Sequence, residues 1–223
     1  MSPAALLALT QQADSAFPSG GFAFSQGLEG LLRDGWVTDA EGLERFLRHQ
    51  LAGRWLVFDR VFLLRAHSAA QGLEALIALD HEVEARSLAA SLRVGSARNG
   101  LALATSHAKI GTPGAAAFRL EILEGRTPGH LPIVQGLVLA GSGLEPLATQ
   151  VAAAHSFLAG LISAGVRLGL VGTLAGQSIL RRLHPDLAAA LKAPPPATPW
   201  SFSPLAEIAA QRQEQGHTRL FST

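Results

Sequence analysis

Eight histidines are the side chains in this sequence most able to bind a transition metal, but their spacing does not favour a metal site. No two of them have the His-x-His or His-x-x-x-His spacing that sets paired imidazoles close together. The densest group of potential ligands is DHEVE, in which Asp80 and Glu84 share a helix face. We interpret this segment as an N-cap aspartate followed by acidic residues in a first helical turn. The sequence therefore predicts no resident metal.

Residues for covalent or acid–base catalysis are equally sparse. The chain has no cysteine and no tyrosine, and no serine lies in a Gly-x-Ser-x-Gly elbow. The PSGG segment lacks the Lys-Ser/Thr continuation of a phosphate-binding loop. Glu29, Glu44 or Asp59 could form an acid–base pair in the fold, although any helical protein offers as much. We predict a protein that binds and does not catalyse; an all-α enzyme with a carboxylate-lined pocket is the alternative.

The composition excludes further classes. Of 223 residues, 48% are apolar and 16% charged, which is typical of a globular protein with a large core. The net charge of +1 gives no general attraction to nucleic acid or anionic membranes. The N-terminus lacks the basic region of a signal peptide, and the longest uncharged apolar run is shorter than a bilayer span. The absence of cysteine is compatible with the cytoplasm, where we expect the protein to act.

Apolar residues recur at helical spacing throughout, and alternating β-type runs are nearly absent. We predict an all-α fold, a single-domain bundle of eight to ten helices. Thr38 and Glu41 form a candidate capping box, and Ser203-Pro204 marks another helix start. The glycine-dense stretch around Gly169 to Gly172 predicts either two helices joined there or one kinked helix.

The segment APPPATP, residues 193–199, is the one clear shift in composition. Polyproline of this kind is a semi-rigid spacer. We therefore divide the chain into a helical domain, 1–192, and a linker with a partner-binding tail, 193–223. The tail carries the apolar residues Trp200, Phe202, Leu220 and Phe221, more than a dispensable terminus needs.

The stretch FPSGGFAFSQGLEG places aromatic residues around a flexible turn. Pro18, Gly20 and Gly21 allow the backbone to turn sharply. Ser25 is a candidate N-cap, with Glu29 in the first turn of the helix that follows. Two alternatives stay open for Phe22 and Phe24: they lie at a protein interface, or they fill the core of the chain.

Three segments in register resemble the UreF family of urease accessory proteins. They are the opening stretch from Phe17 to Asp39, AGVRLGLVGTLAGQSIL at 164–180, and the C-terminal SPLAEIAAQRQEQGHTRLFST. Some positions depart from the family pattern. Phe24 stands where tyrosine is frequent, Ser91 where glutamate is common, and Gln211 and Gln213 replace methionine and histidine. Arg212 and Glu214 fit the pattern, and the final Ser222-Thr223 is shifted by one position.

The resemblance implies an all-α protein, commonly a homodimer, without catalytic activity. Members bind the accessory protein UreD, also called UreH, and recruit the nickel-carrying GTPase UreG. The assembly delivers nickel to apo-urease, with a tunnel thought to carry the ion, and a gating effect on the GTPase has been suggested. No cofactor would be bound permanently, and Ni²⁺ would be handled transiently. A chain that itself carries nickel through His81 or His217 is the alternative.

With the resemblance, two regions become candidate partner-binding sites. The first holds Phe22, Phe24 and Glu29. In the second we expect the tail to become ordered on partner binding, and a tail folded back on the bundle is the alternative. Its candidate contact residues are Arg212, Glu214, Arg219, Leu220, Phe221 and Ser222.

Overall fold

The computed structural model describes residues 2–14, 16–18 and 24–214, and within these ranges all regular secondary structure is helical. One π-helical segment, Leu51–Asp59, joins α3 to α4 without a break, so the described residues form ten helical rods. The prediction of an all-α fold with eight to ten helices is confirmed. The helices are α1 Pro3–Ala13, α2 Leu28–Arg33, α3 Ala40–Gln50, α4 Arg60–Ser68, α5 Leu73–Arg86, α6 Ala90–Lys109, α7 Ala115–Leu123, α8 Leu131–Gly141, α9 Pro146–Arg167, α10 Thr173–Lys192 and α11 Pro204–Glu214.

The short apolar helix α8 lies at the centre of the bundle, because it packs against α4, α6, α7 and α9. Two glycines allow this close packing. A Cβ atom on Gly136 would lie 2.5 Å from the Leu63 carbonyl oxygen, and one on Gly100 would lie 1.9 Å from the Gly129 carbonyl oxygen. Neither position has room for a side chain, so glycine there sets the distance between helices.

Helices α9 and α10 form an antiparallel hairpin, and the connection at 168–172 separates two helices as the glycines predict. Near this connection the hairpin is close-packed, since a Cβ atom on Gly176 would lie 2.7 Å from Ile162 Cγ2. Among the described residues, α9 is the one helix long and apolar enough to cross a membrane. Half of that stretch is buried inside the fold, as in the core helix of a globular protein.

Two of the predicted helix starts are wrong. The N-cap of α3 is Asp39, whose Oδ1 accepts a hydrogen bond of 2.7 Å from Gly42 N. The Thr38–Glu41 capping box is therefore shifted by one residue, because an ionised carboxylate caps the positive helix end well. The N-cap of α2 is Gly27, and the Ser25 hydroxyl has no hydrogen-bond partner. By contrast, α11 begins at Pro204 as predicted.

The proline-rich segment is not helical, as predicted. Residues 193–203 form a strap that lies along α4 and the π-helical segment. Arg60 Nη2 donates to the Ala193 carbonyl at 2.8 Å, and Arg65 Nη2 donates to the Ala197 carbonyl at 2.7 Å. Further along, Trp200 N donates to Val57 O and Phe202 N to Gly53 O. The last two acceptors belong to the π-helical segment, so the strap is fixed to it.

After the strap, α11 packs on α2 and α6. Ala206, Ala209 and Ala210 are buried in this contact. For residues 204–214 the structure thus has the folded-back arrangement that was the alternative for the tail. The predicted boundary at 192/193 coincides with the end of α10. The division into two units stays a prediction.

Candidate partner-binding surface and the cleft beneath it

Helices α2 and α11 are brought into contact by small residues. Gly27, at φ +86°, and Gly30 face the backbone of α11: Cβ atoms there would lie 2.3 and 2.7 Å from the carbonyl oxygens of Ala206 and Ala209. The contacts advance along both helices in the same direction, so the helices run parallel. The Gly-Leu-Glu-Gly of the opening stretch therefore serves to receive the C-terminal helix.

This contact unites the two regions that the sequence singles out as candidate binding sites. Glu29 lies half-buried in the first turn of α2. Arg212 lies near the end of α11, exposed, with its Nη1 3.7 Å from Asp34 Oδ2 at the end of α2. We call the outer faces of these two helices the α2–α11 surface. The first and third family-like segments thus form one structure.

The other predicted contact residues divide into two groups. Phe24 is buried, with 8% of its surface exposed, so its ring fills the interior of the chain and any part in partner binding would be indirect. The side chain of Glu214 and the whole of five further residues lie outside the described part of the chain. These five are Phe22, Arg219, Leu220, Phe221 and Ser222.

An exposed apolar stripe continues from the strap onto the outer face of α11. The sequence singles out Trp200 and Phe202 in this stripe but not Leu205 and Ile208. Leu205 and Ile208, 55% and 46% exposed, lie one helical turn apart on α11. Phe202, 72% exposed, precedes them at the end of the strap. Trp200, half-exposed, lies before it in the strap. The alanines on the opposite face of α11 are the signal for which side of this helix packs inward, because helices approach each other closely where their residues are small. The stripe adds apolar area to the α2–α11 surface.

Beneath this surface lies a cleft of roughly 140 Å³. Its walls come from the π-helical segment, α6, α8 and α9, and Phe24, Ser203 and Glu207 line it from the side of the α2–α11 surface. Most of the wall is apolar, and its largest side chains are those of Trp55, Phe17, Phe24 and Phe157. π-Helical turns are frequent at functional sites, where the wider turn displaces side chains.

One ion pair stands in the cleft. Arg54 Nε lies 3.3 Å from both carboxylate oxygens of Asp59, and its guanidinium stacks 4.4 Å from the centre of the Phe58 ring. Burial raises the pKa of Asp59, and the positive charge of Arg54 opposes that rise. The pairing with Arg54 holds the Asp59 side chain in place in the cleft.

The three acids considered for catalysis are not assembled into a pair. Asp59 lines the cleft, whereas Glu29 lies on α2 and Glu44 lies on α3. Hydrogen bonds from Arg182 and Arg48 lower the pKa of Glu44. The second acid in the described lining of the cleft is Glu207, which lies on α11. The alternative of an all-α enzyme with a carboxylate-lined pocket gains no support from Glu29 and Glu44, which do not line the cleft.

Histidines in the described part of the chain mostly serve structure. His107 is fully buried; its Nδ1 lies 2.8 Å from Thr112 Oγ1 and its Nε2 lies 3.1 Å from Gln12 Oε1. His81 Nε2 donates to the Arg126 carbonyl at 3.0 Å, and His217 lies outside the described residues. No three histidine, aspartate or glutamate side chains in the described ranges are grouped to hold a metal ion.

The interpretation of Asp80 as an N-cap is wrong. Asp80 lies inside α5, fully buried, and accepts hydrogen bonds from Thr127 Oγ1 at 2.6 Å and from the backbone N–H groups of Gly129 and His130. It therefore anchors the loop that leads into α8. His130 Nε2 lies 2.8 Å from Glu84 Oε2, so Asp80 and Glu84 both bind structural partners.

Comparison with known proteins agrees with the architecture. A sequence model of the UreF family matches residues 37–184, more than half of the chain. The urease accessory protein UreF of Actinobacillus pleuropneumoniae is 30% identical over 220 residues, covering 96% of this chain and 97% of that protein. Its counterpart in Agrobacterium fabrum is 34% identical over 228 residues, covering 98% and 96%. The one in Cereibacter sphaeroides strain KD131 is 34% identical over 229 residues, covering 99% of both. The chain belongs to the UreF family of urease accessory proteins.

Proposed function

We propose that this chain is a non-enzymatic scaffold that bridges a UreD-like (UreH-like) protein and a UreG-like GTPase, so that Ni²⁺ reaches apo-urease. The observation that carries the proposal is the α2–α11 surface. It joins the two family-like segments at the ends of the chain and presents an apolar stripe beside a charged residue. Modulation of the GTPase, a homodimeric state and action in the cytoplasm belong to the same proposal.

The chemistry of the α2–α11 surface suits protein recognition. Phe202, Leu205 and Ile208 together offer large apolar side chains, and burying each one would contribute on the order of 1–2 kcal/mol. Arg212 at the edge can exchange its long 3.7 Å contact with Asp34 for a carboxylate of the partner. Apolar centres with an arginine nearby are frequent energetic centres of protein interfaces.

The lining of the cleft agrees with a role in which nickel is cargo. Its polar side chains are mainly amides, hydroxyls and the Arg54–Asp59 pair, which are weak ligands for Ni²⁺ compared with imidazole. A scaffold that passed nickel onward would gain nothing from a tight site of its own. We therefore assign the chain no permanently bound cofactor.

Two matched leucines test the surface. Leu205→Ser removes an apolar side chain from the stripe, whereas Leu120→Ser removes one of similar exposure from α7, which packs on α6 and α8. We expect Leu205→Ser to weaken the complex with a UreD-like protein roughly tenfold, and Leu120→Ser to leave it unchanged. Affinity is measured by titration calorimetry, with circular dichroism to confirm that both variants fold. Equal affinities for the two variants would contradict the proposed surface.

A further inference from the structure

The hairpin of α9 and α10 holds two histidines, His155 and His184, that the proposed function does not use. His155 is half-buried and His184 is exposed. Neither imidazole is hydrogen-bonded to a described side chain or backbone group, whereas His67, His81, His107 and His130 all are. Unshared nitrogen lone pairs on two neighbouring helices raise the question of whether they face each other.

Two contacts fix the register of the hairpin. Near its closed end, Ile162 lies against Gly176. Near its open end, the Arg60 guanidinium bridges the helices, because its Nε donates to Gln150 Oε1 at 2.6 Å and its Nη1 to the Ala190 carbonyl at 3.3 Å. Ile162 is thus paired with Gly176, and Gln150 is level with Ala190.

Interpolation between these two contacts places His155 opposite His184. From the closed end, His155 lies seven residues back along α9, about 10 Å at 1.5 Å per residue. His184 lies eight residues forward along α10, about 12 Å in the same direction. Seven residues are also two helical turns, so His155 shares the stripe of α9 with Ile162, which faces α10.

The charge distribution agrees with this proximity. Burial lowers the pKa of His155, and the charge of His184 lowers it further, which agrees with the positions that the register of the hairpin gives the two rings. Arg182 and Asp186, on either side of His184, pair with Glu44 and Arg48 of α3. The side chains of Arg182 and Asp186 therefore lie on the face of α10 that is turned to α3, away from His184. In the neutral form both imidazoles can donate a lone pair to a cation.

We propose that His155 and His184 form a two-imidazole binding site for a late first-row divalent metal ion, with Ni²⁺ and Zn²⁺ as the best-suited ions. Imidazole is a preferred ligand of both. With two protein ligands, water fills the remaining coordination positions, so the ion exchanges readily. The site goes beyond the scaffold function, and its occupancy does not depend on the α2–α11 surface.

The experiment is a titration of the full, tag-free chain with Ni²⁺ alone, in which a calorimeter records the heat of binding. We expect one Ni²⁺ per chain, and a loss of affinity of roughly tenfold or more in either His155→Gln or His184→Gln, since even outer-shell changes cost that much. His49→Gln and His81→Gln, both at exposed positions, should bind as the unaltered chain does. His217→Gln tests the alternative ligand in the tail.

A second measurement separates ligand loss from damage to the hairpin. Long-range ¹H–¹⁵N spectra of the imidazoles should show the resonances of His155 and His184 broadened by Ni²⁺, with those of His81 unaffected. His184 is exposed, so His184→Gln should leave the melting temperature unchanged. Undiminished binding in the double variant, or broadening confined to other histidines, would overturn the proposal. A negative result for this metal site would not change the result expected when Leu205→Ser and Leu120→Ser are compared in partner binding.

Discussion

Gly30 shows how one atom controls the contact between α2 and α11. Its missing Cβ leaves room for the carbonyl oxygen of Ala209, a backbone atom that cannot rotate away. We expect Gly30→Ala to lower the free energy of unfolding by about 1–3 kcal/mol, because the helices must separate. Urea denaturation measures it.

A control exists in α9, where a Cβ atom on Gly160 would meet nothing within 4 Å. Gly160→Ala should stabilise by up to about 1 kcal/mol through helix propensity alone. A Gly30→Ala protein as stable as this control would show that α11 is not held by close packing on α2.

His107 makes stability depend on pH. Burial lowers its pKa to about 4, from the ordinary value near 6.5. Between these values the unfolded chain binds a proton that the folded chain does not, so the folded state loses stability as pH falls. The neutral ring holds Gln12 and packs 5.1 Å from the Phe17 ring, so the N-terminal segment depends on it.

Comparing the chain with a His107→Gln variant isolates this histidine, since burial lowers the pKa of His130 and His155 as well. We expect the stability advantage over the variant to shrink by up to roughly 2–3 kcal/mol between pH 6.5 and 4. Urea denaturation at several pH values measures this difference in the free energy of unfolding. A constant advantage across that range would mean that His107 is not the titrating group.

At this scale the sequence indicates residue types better than residue roles. Glycine at 27 and 30 is visible, but the helix that fills the space lies more than 170 residues away and no local pattern connects them. Asp80 illustrates the same limit. Its position beside Glu84 suggests a helix start, whereas its partners come from a loop that only the tertiary fold brings near.

Among the elements, the π-helical segment and the strap depend on one another. The carbonyls of Gly53 and Val57 accept hydrogen bonds from the strap, and a Cβ atom on Gly53 would lie 2.5 Å from Phe202 O. We expect Gly53→Ala to detach this end of the strap. Amide hydrogen exchange of Trp200 and Phe202 should then become faster.

Gly72→Ala is the matched control, because its added Cβ would meet its neighbours at an ordinary 3.6 Å. It should leave exchange in the strap unchanged. Protection of Phe202 that survives Gly53→Ala would mean that the strap does not rely on this close approach.

The ends of helices can be predicted from the sequence where clear helix-start or helix-stop residues are present. The start of α11 at a Ser-Pro pair and the gap between α9 and α10 are both local features and are confirmed. The π-helical turn is not predictable in this way, because its residues have the pattern of an ordinary helix and no local feature marks the wider turn.

For the whole molecule, the decisive question is what residues 215–223 contribute beyond α11. A chain ending at Glu214 keeps Ala206, Ala209 and Ala210 in their buried positions. We expect it to melt at the temperature of the full chain yet bind a UreD-like protein at least tenfold more weakly, as the loss of Arg219, Leu220 and Phe221 implies. Differential scanning calorimetry and co-purification measure the two quantities.

A chain ending at Lys192 is the contrasting variant. It loses the strap and α11, exposes the glycine face of α2, and should melt at a clearly lower temperature. Full binding by the Glu214 variant would remove the last nine residues from the partner site and leave the stripe on α11 as the remaining candidate.

The overall architecture was predictable because helical periodicity and low charge extend over the whole chain. The assembly of the α2–α11 surface was not, since it depends on the path of the strap along α4 and the π-helical segment. That path is set by Arg60 and Arg65, long side chains whose acceptors are backbone carbonyls without a sequence signature.

The parallel pairing of α2 with α11 also has a consequence for biosynthesis. At about 5–20 residues per second, a ribosome makes α2 roughly ten to thirty seconds before α11. During that interval the face of α2 at Gly27 and Gly30 lacks α11, so an incomplete chain does not have the α2–α11 surface. On the proposed function, we expect such a chain to bind the partner proteins poorly and to become able to assemble only after α11 has been made.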